Sequence, residues 1–500
     1  MDRAENLARV RMRTEPWGII VIGGGATGVG CAVDAASRGY DVLLLEQHDF
    51  GKGTSSRSTK LVHGGVRYLR QGNISLVREA LKERGILLKN APHVVHKQAF
   101  IVPCYGLGQR AFYGIGLKTY DFLARKHSLG KSRILSKAET AERLPTICRD
   151  GLSGGVLYYD GQFDDTRLLI DLVTTAYRHG AAVLNYARVS TLTKGADGNI
   201  AGVEFVDAAT GEIFAVSAKA VINATGVFCD AVRSMSDRKA KPVVKFSQGI
   251  HLVFDRKFLP SETAVMIPKT SDGRVLFCIP WHGHTLVGTT DTPVDFAKLE
   301  PSALETEIDF VLDTVGKYLT KPPARDDILS VFAGIRPLVK NGHATKTSAI
   351  SRGHDLFVDD AGLVTITGGK WTTYRRMAED AVNKAAEISG LEKRICVTET
   401  LAITASEHEI GGERLHPDLP YTRDDVLRAV RDEMAVTVED VLARRTRALF
   451  LNAKAAVELA PAIAEIIATE LGRDADSMED QIEKFSETAR AYSVVTDPSP

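Results

Sequence analysis

Apolar positions along this chain follow two periods. Short unbroken β-branched and leucine-rich runs at Ile19–Ile22, Val42–Leu45 and Ala220–Asn223 predict strands buried on both faces, as in a parallel sheet. Between the first two runs lies a helix rich in small residues (Gly30, Cys31, Ala32, Ala35, Ala36). Helical periodicity returns from about Ile74 to Lys89, where Ala91-Pro92 ends it, and again over 109–126, Asp165–His179 and Leu304–Tyr318. A short strand is expected at Phe100–Pro103 and another at Ala182–Leu192, followed by a hairpin with turns at Asp197-Gly198 and Thr210-Gly211. Residues 243–296 alternate brief apolar runs with turns, which predicts an antiparallel sheet. Strand, turn and helix recur over Leu363–Ser389, and beyond 421 the pattern is wholly helical, which reads as a separate C-terminal domain.

Glycines give the first run its chemistry. I-I-V-I-G-G-G-A-T-G carries Gly23, Gly25 and Gly28 as G-x-G-x-x-G between strand and helix. The first allows a tight turn, the second a close approach of pyrophosphate to backbone, and the third close helix–strand packing. Glu46 ends the second strand, where a carboxylate accepts both ribose hydroxyls and disfavours a 2′-phosphate. A doubly wound, Rossmann-like α/β domain binding FAD or NAD follows. Ala224-Thr225-Gly226 closes the third run, and T-I-T-G-G-K-W-T-T-Y (365–374) places Gly369 before a helix start near Thr372. A helix N-terminus there would stabilise negative charge on a reduced flavin, which favours FAD over NAD. The loop 54–69 is dense in donors (Thr54, Ser55, Thr59, Lys60), and His63-Gly64-Gly65 lets backbone pass close to a planar ring. Arg67, Arg336, Arg352 and Lys370 each sit beside a turn or strand end. Brought together at the flavin face they would make a dianion pocket.

Composition narrows the setting. Five hundred residues, 44% hydrophobic, suffice for two or three domains, and a net charge of zero offers no field for nucleic acid. The six cysteines form no C-x-x-C, which argues against iron–sulfur and zinc sites and fits a reducing cytoplasm. No signal-peptide layout is present, and no apolar run approaches a membrane span. Residues 1–16 form a mildly basic, helix-prone arm that reads as a solvated extension, with a surface anchor as the alternative.

Together, I-V-I-G-G-G-A-T-G, T-S-S-R-S-T-K-L-V-H-G-G-V-R-Y-L, I-N-A-T-G, V-G-T-T-D, G-I-R-P-L and G-G-K-W-T-T-Y-R resemble the FAD-dependent, quinone-linked glycerol-3-phosphate dehydrogenases, over about 17–390 and again in R-R-T-R-A-L-F-L-N (444–452). The resemblance implies an FAD-binding domain of the glutathione-reductase/D-amino-acid-oxidase type, discontinuous over 17–90, 151–240 and 328–390. It implies a substrate domain over 91–150 and 241–327 and a helical cap over 400–500. The implied reaction oxidises sn-glycerol 3-phosphate to dihydroxyacetone phosphate, with hydride passing from C2 to flavin N5 and electrons to membrane quinone. Arg67, Tyr68, Arg352 and Lys370 would hold the phosphate. His251, in Q-G-I-H-L, and Arg336 are the candidates for activating the C2 hydroxyl, and Gly334 of G-I-R-P-L joins the cofactor-binding set. The chain departs from the family in its abbreviated approach to the helix at 423, which bears on partner docking and on a homodimer. Peripheral attachment to the cytoplasmic membrane falls to 105–133, where six basic residues face one acidic residue, with Phe112, Tyr113, Ile115, Leu117, Tyr120, Phe122 and Leu123 among them. A helix packed inside the substrate domain is the competing reading of that stretch. Rival functions are an oxidase passing electrons to oxygen, a flavoprotein acting on amino or other hydroxy acids, and a non-catalytic flavin sensor.

Overall fold

The structure is a computed structural model, described over residues 1–66, 73–339, 353–405 and 411–494. Two large sheets carry the fold. The first has eight strands, and its central path runs His354–Val358, Val364–Gly368, Ile213–Asn223, Trp17–Ile22, Val42–Leu45, Ala182–Leu184. All neighbours on that path are parallel except the antiparallel edge pair His354–Val358 and Val364–Gly368. Successive residues of the unbroken apolar runs serve opposite faces. Ile19, Val21, Val42 and Leu44 pack on one side with the helices Ala26–Ser37, Asp165–Arg178 and Tyr374–Ile388. Ile20, Ile22, Leu43 and Leu45 pack on the other, under the meander Ala187–Lys194, Ile200–Asp207 and Ile213–Asn223. Small residues on the first helix permit this closeness: a Cβ on Gly30 would lie 2.8 Å from the Tyr374 ring.

The expected strand 182–192 is two strands. Tyr186 turns the chain with φ +54°, and Asn185 is held by Asp49 and the Met434 carbonyl, so 182–184 and 187–194 diverge.

The second sheet has ten strands and is antiparallel except where Ala264–Ile267 runs parallel to Val95–Cys104. It draws in Leu61–Val62, Gly154–Phe163 and Ile328–Val339, stretches that the sequence reading assigns to the first domain. Ile328–Val339 pairs with Val244–Asp255 from Val244↔Val339 to Phe254↔Ile328. Such two-sided strands are apolar whichever sheet receives them, so local pattern does not reveal their partner.

The C-terminal segment begins with a small hairpin, Arg414–His416 and Leu419–Thr422, before its helices. Its apolar face forms one cluster with the second sheet, including Val253, Trp281, Leu286 and Phe332. Phe450 packs on Phe332 at 4.8 Å between ring centroids.

The N-terminal arm is docked along one face rather than extended freely into solvent, with Arg11 and Met12 left exposed. It is a helix, Arg3–Met12, capped by Asp2 and docked on the edge strand Ala182–Leu184. Fully buried Asn6 accepts from the Val183 N–H at 3.2 Å and donates to the Asp2 carbonyl at 2.7 Å. Arg3 reaches the Asn185 carbonyl and Asp207, and the N-terminal ammonium donates to the Asp432 carbonyl at 2.8 Å. An open sheet edge is thereby covered. Replacing Asn6 by Ala strands a buried amide, and the expected loss is about 1–3 kcal/mol in a urea titration at unchanged m. Arg11→Ala removes an exposed pair with Glu212 and is expected to cost no more than about 1 kcal/mol in the same titration.

Candidate active site

A cavity of about 810 Å³ runs from the carboxyl ends of the first sheet's parallel strands to the inner face of the second sheet. Its first pole is mostly backbone. Gly23 takes φ +111°, and a Cβ on Gly28 would fall 1.9 Å from the Gly23 carbonyl oxygen, so helix and strand touch only because both are glycine. Gly25 starts the helix Ala26–Ser37 without a side-chain cap, and Ser55 Oγ accepts the Ala26 N–H at 2.9 Å. Glu46 lines the cavity, and its carboxylate accepts the Gly24 and His48 amides at 2.6 and 2.9 Å. Burial raises that carboxyl above its usual range, and the two amides oppose the rise. Ala224 and Gly226 complete this wall.

The second pole is made of side chains. Residues directly opposite in paired strands share a face, so Ser247↔Arg336, Gly249↔Gly334 and His251↔Phe332 all lie on one surface. Two glycines thus stand between His251 and Arg336. A Cβ on Gly249 would lie 2.3 Å from Arg336 Nη2, so this glycine makes room for the guanidinium. Arg336 donates to the Thr290 and Gln248 carbonyls at 3.1 and 3.3 Å and to Thr289 Oγ1 at 3.1 Å. His251 is buried, stacks on Phe332 at 4.8 Å, and places Nε2 2.9 Å from Thr59 Oγ1. Its Nδ1 has no hydrogen-bond partner among the described residues. Burial, reinforced by the positive charges of Lys60 and Arg336, holds this imidazole well below the ordinary histidine pKa. It is neutral at pH 7.

The turn before Tyr374–Ile388 closes the remaining side. Gly369, Lys370 and Thr372 line the cavity, Thr372 Oγ1 accepts the His63 N–H at 3.3 Å, and Trp371 Nε1 donates to the Ser55 carbonyl at 2.8 Å. The two glycine-rich helix starts, far apart in sequence, are therefore tied together through Ser55.

Residues 18–375 match the FAD dependent oxidoreductase family, and residues 364–478 match the C-terminal domain of alpha-glycerophosphate oxidase. The glycerol-3-phosphate dehydrogenase, mitochondrial, of Rattus norvegicus is 40% identical over 92% of this chain and 71% of its own length. Its Homo sapiens counterpart is 39% identical over 96% of this chain and 73% of its own. The chain belongs to the FAD-dependent glycerol-3-phosphate dehydrogenase family. The structure of glycerol-3-phosphate dehydrogenase from Bacillus halodurans, complexed with FAD, superposes with a TM-score of 0.78 at 28% identity, covering 98% of each chain. An L-alpha-glycerophosphate oxidase from Mycoplasma pneumoniae, at 18% identity and TM-score 0.58, shares the fold.

As in other FAD-dependent glycerol-3-phosphate dehydrogenases, the cofactor is FAD, and the residues present fit it. Gly23, Gly25, the Ala26 helix start and Glu46 suit its pyrophosphate and ribose, and Thr54, Ser55, Thr59, His63, Gly65, Gly334, Gly369 and Thr372 all line the cavity beyond. Thr54 Oγ1 donates to the Ile335 carbonyl at 2.6 Å and so joins the cofactor loop to the second sheet. Three expected cofactor residues do not line the cavity. Gly28 serves helix packing. Gly64 lies behind the wall, its N–H donating to the Tyr120 hydroxyl at 2.9 Å. Lys60 turns inward, and its buried ammonium donates to Asp165 at 2.6 Å and the Ser56 carbonyl at 2.7 Å. Burial, then the charge of Arg447, brings that ammonium down to about 7 against the attraction of Asp165. In sequence Lys60 is one donor among many, because nothing local records that Asp165 and Arg447 meet it.

Arg67, Tyr68 and Arg352 lie outside the described residues. Sequence reasoning did not single out Arg57, Arg274, Phe277 or Thr289, all of which line the cavity. Alternation along its strand was the available signal for Phe277, but it does not say which face looks inward, and Arg57, Arg274 and Thr289 lie outside strands, where no such period exists. Gly28→Ala forces the helix off the Gly23 carbonyl, and overpacking of this kind costs about 1–3 kcal/mol. FAD binding roughly ten- to a hundredfold weaker is the expected result, read as flavin released on gel filtration.

Proposed function

We propose that this protein oxidises sn-glycerol 3-phosphate at C2 to dihydroxyacetone phosphate and delivers the electrons to membrane quinone. The observation that carries this reading is a buried, neutral imidazole on the same sheet face as a guanidinium, with Lys370 lining the same cavity. Bound FAD supplies the two-electron acceptor for the hydrogen leaving C2. His251 takes the proton of the C2 hydroxyl: in the tautomer whose Nε2–H donates to Thr59, 2.9 Å away, the lone pair stands on Nδ1. Arg336, fixed by three oxygens, stabilises the negative charge that develops on O2 as the proton leaves. Lys370, Arg67, Tyr68 and Arg352 hold the phosphate, a task suited to cations because the substrate is a dianion.

Anaerobic mixing of the purified yellow protein with sn-glycerol 3-phosphate is expected to bleach the flavin, with colour returning on addition of a quinone and only slowly in air. Intact colour in the presence of substrate would remove the function, and rapid recovery in air would make the protein an oxidase. His251→Ala is expected to keep its FAD and its substrate affinity while bleaching at least about a hundredfold more slowly.

For the acceptor's source, the helix Leu107–Ala124 supports a membrane surface. It contributes Phe112, Tyr113 and Gly116 to the cavity wall while leaving Phe112, Ile115 and Phe122 exposed at 58%, 70% and 76%. Its buried side carries Leu117 and Tyr120, so inward packing and an outward apolar face coexist. Arg125 and Lys126 follow directly and are exposed. Among the described residues no helix is long and apolar enough to cross a membrane. On this reading the exposed face rests on the cytoplasmic surface of the bilayer, where a quinone is at hand. Changing Arg125 and Lys126 together to Glu is expected to weaken flotation with anionic vesicles at least about tenfold, since each basic residue near such a surface is worth about 1 kcal/mol. Unchanged flotation would count against this surface.

A further inference from the structure

Among the described residues, Lys52, Arg57, Arg274, Arg336 and Lys370 bring basic groups other than histidine to the cavity wall. Lys52 meets Glu439 at 2.8 Å, and Arg57 meets Glu300 at 2.6 Å. Arg336 is bound by the oxygens described above. Arg274 is held differently. It sits in the turn 268–275 that joins Ala264–Ile267 to Leu276–Trp281, so it belongs to the side-chain pole of the cavity, away from the dinucleotide turn at Gly23–Gly28. The turn is stiff. Thr270 N–H donates to the Arg274 carbonyl at 2.9 Å, and the Arg274 N–H donates to Thr270 Oγ1 and Asp272 Oδ1 at 3.0 and 3.2 Å. Asp272 also pins one end of the guanidinium, with Nη2 at 2.6 Å from Oδ2. The other end, Nη1, is buried and has no hydrogen-bond partner among the described residues. Beneath the turn, Met266 and Phe277 form an apolar floor, and Phe277 meets the His63 ring edge-on at 6.3 Å.

We infer that Arg274 is a specificity residue for the substrate phosphate, donating from Nη1 to a phosphate oxygen while Asp272 holds the fork in place. The inference rests on the reading of a polyol phosphate as substrate. A guanidinium fixed at one end and carrying an unused charge-assisted donor at the other suits a phosphate oxygen. An apolar floor strengthens that attraction by excluding water. A neutral hydroxyl would give the Nη1 donor no charge-assisted acceptor, so the residue separates phosphorylated from unphosphorylated polyols.

The test uses the yellow holoenzyme and its Arg274→Met and Arg274→Lys variants, with flavin content as the check on folding. Two quantities are read: KM and kcat for sn-glycerol 3-phosphate, and the Kd of inorganic phosphate from the perturbation of the flavin spectrum. Arg274→Met is expected to raise both KM and the phosphate Kd roughly ten- to a hundredfold, with kcat changed far less, because a hydrogen bond to a charged group is lost. Arg274→Lys is expected to restore part of both, as a point charge without the fork. Phosphate binding and KM as in the wild type would overturn the inference, as would a loss confined to kcat or to bound flavin. If the wild type failed to bleach with sn-glycerol 3-phosphate, the proposed reaction would fall. The phosphate Kd of the variants would still decide whether Arg274 recognises the anion.

Discussion

Asp49 is the point on which the two halves of the molecule are fastened. It is fully buried just beyond Glu46 and accepts Arg444 Nε at 2.6 Å and both terminal nitrogens of Arg445 at 2.7 and 2.9 Å. Burial alone would raise its carboxyl, but Arg445 and Arg444 hold it well below the usual carboxylate range. The same short stretch of the C-terminal segment supplies Arg447, which donates to the Ser56 carbonyl at 2.8 Å. The loop 49–60 therefore has the cofactor cavity in front of it and a wall of arginines behind. Buried ion pairs are weak evidence for net stability, since apolar residues of the same shape often do as well. What they impose is geometry. A planar fork on a carboxylate allows few arrangements, and this one sets where Ser55 and Thr59 stand against the helix start and His251.

That arrangement explains what could be read from sequence and what could not. Gly23, Gly25, Gly28 and Glu46 were legible because a turn, a helix start and a strand end are local: the residues that shape the backbone are neighbours in the chain. Gly369 and Thr372 were legible for the same reason. His251 came only from resemblance, and Arg336 stood in the sequence as one of four cations beside turns or strand ends, since four positions along paired strands and an intervening pair of glycines are properties of a sheet, not of a segment. Gly154–Phe163 and Ile328–Val339 were grouped with the first domain, and their pairing in the second sheet was not legible because a strand buried on both faces carries no record of its partner. The basic arm looked solvated because Asn6 and Arg3 bury polar atoms on groups more than 170 positions away. Lys60 was read as a donor to the cofactor for the converse reason: a buried, paired cation has the same letter as an exposed one.

The two poles of the cavity solve different problems. At the dinucleotide pole the ligand is recognised by amides and a single carboxylate, and side chains are excluded by steric contact, as at Gly28. At the other pole the sheet supplies chemistry by alternation. Phe332 is packed by His251 on one contact and lies 5.1 Å from the Lys60 ammonium on another, so base and buried cation share an aromatic neighbour. The cation lowers the basicity of the imidazole without a direct hydrogen bond between them, and Thr59 next in sequence to Lys60 orients its ring.

This electrostatic setting links binding to reactivity. In the free protein the positive charges of Lys60 and Arg336 add to burial, and the imidazole is a weak base. A phosphate dianion arriving in the same cavity offsets those charges, and the proton affinity of His251 rises with substrate in place. In the proposed reaction the C2 hydroxyl loses its proton as the C2 hydrogen departs, so the histidinium would form when the phosphate is present to compensate it. A carboxylate substrate of single charge would compensate less, and the same imidazole would remain a poorer base. Under the proposed reaction, the cations assigned to the substrate and the histidine assigned to its activation would act through one field, and a preference for a doubly charged substrate would be exerted on the chemical step as well as on binding.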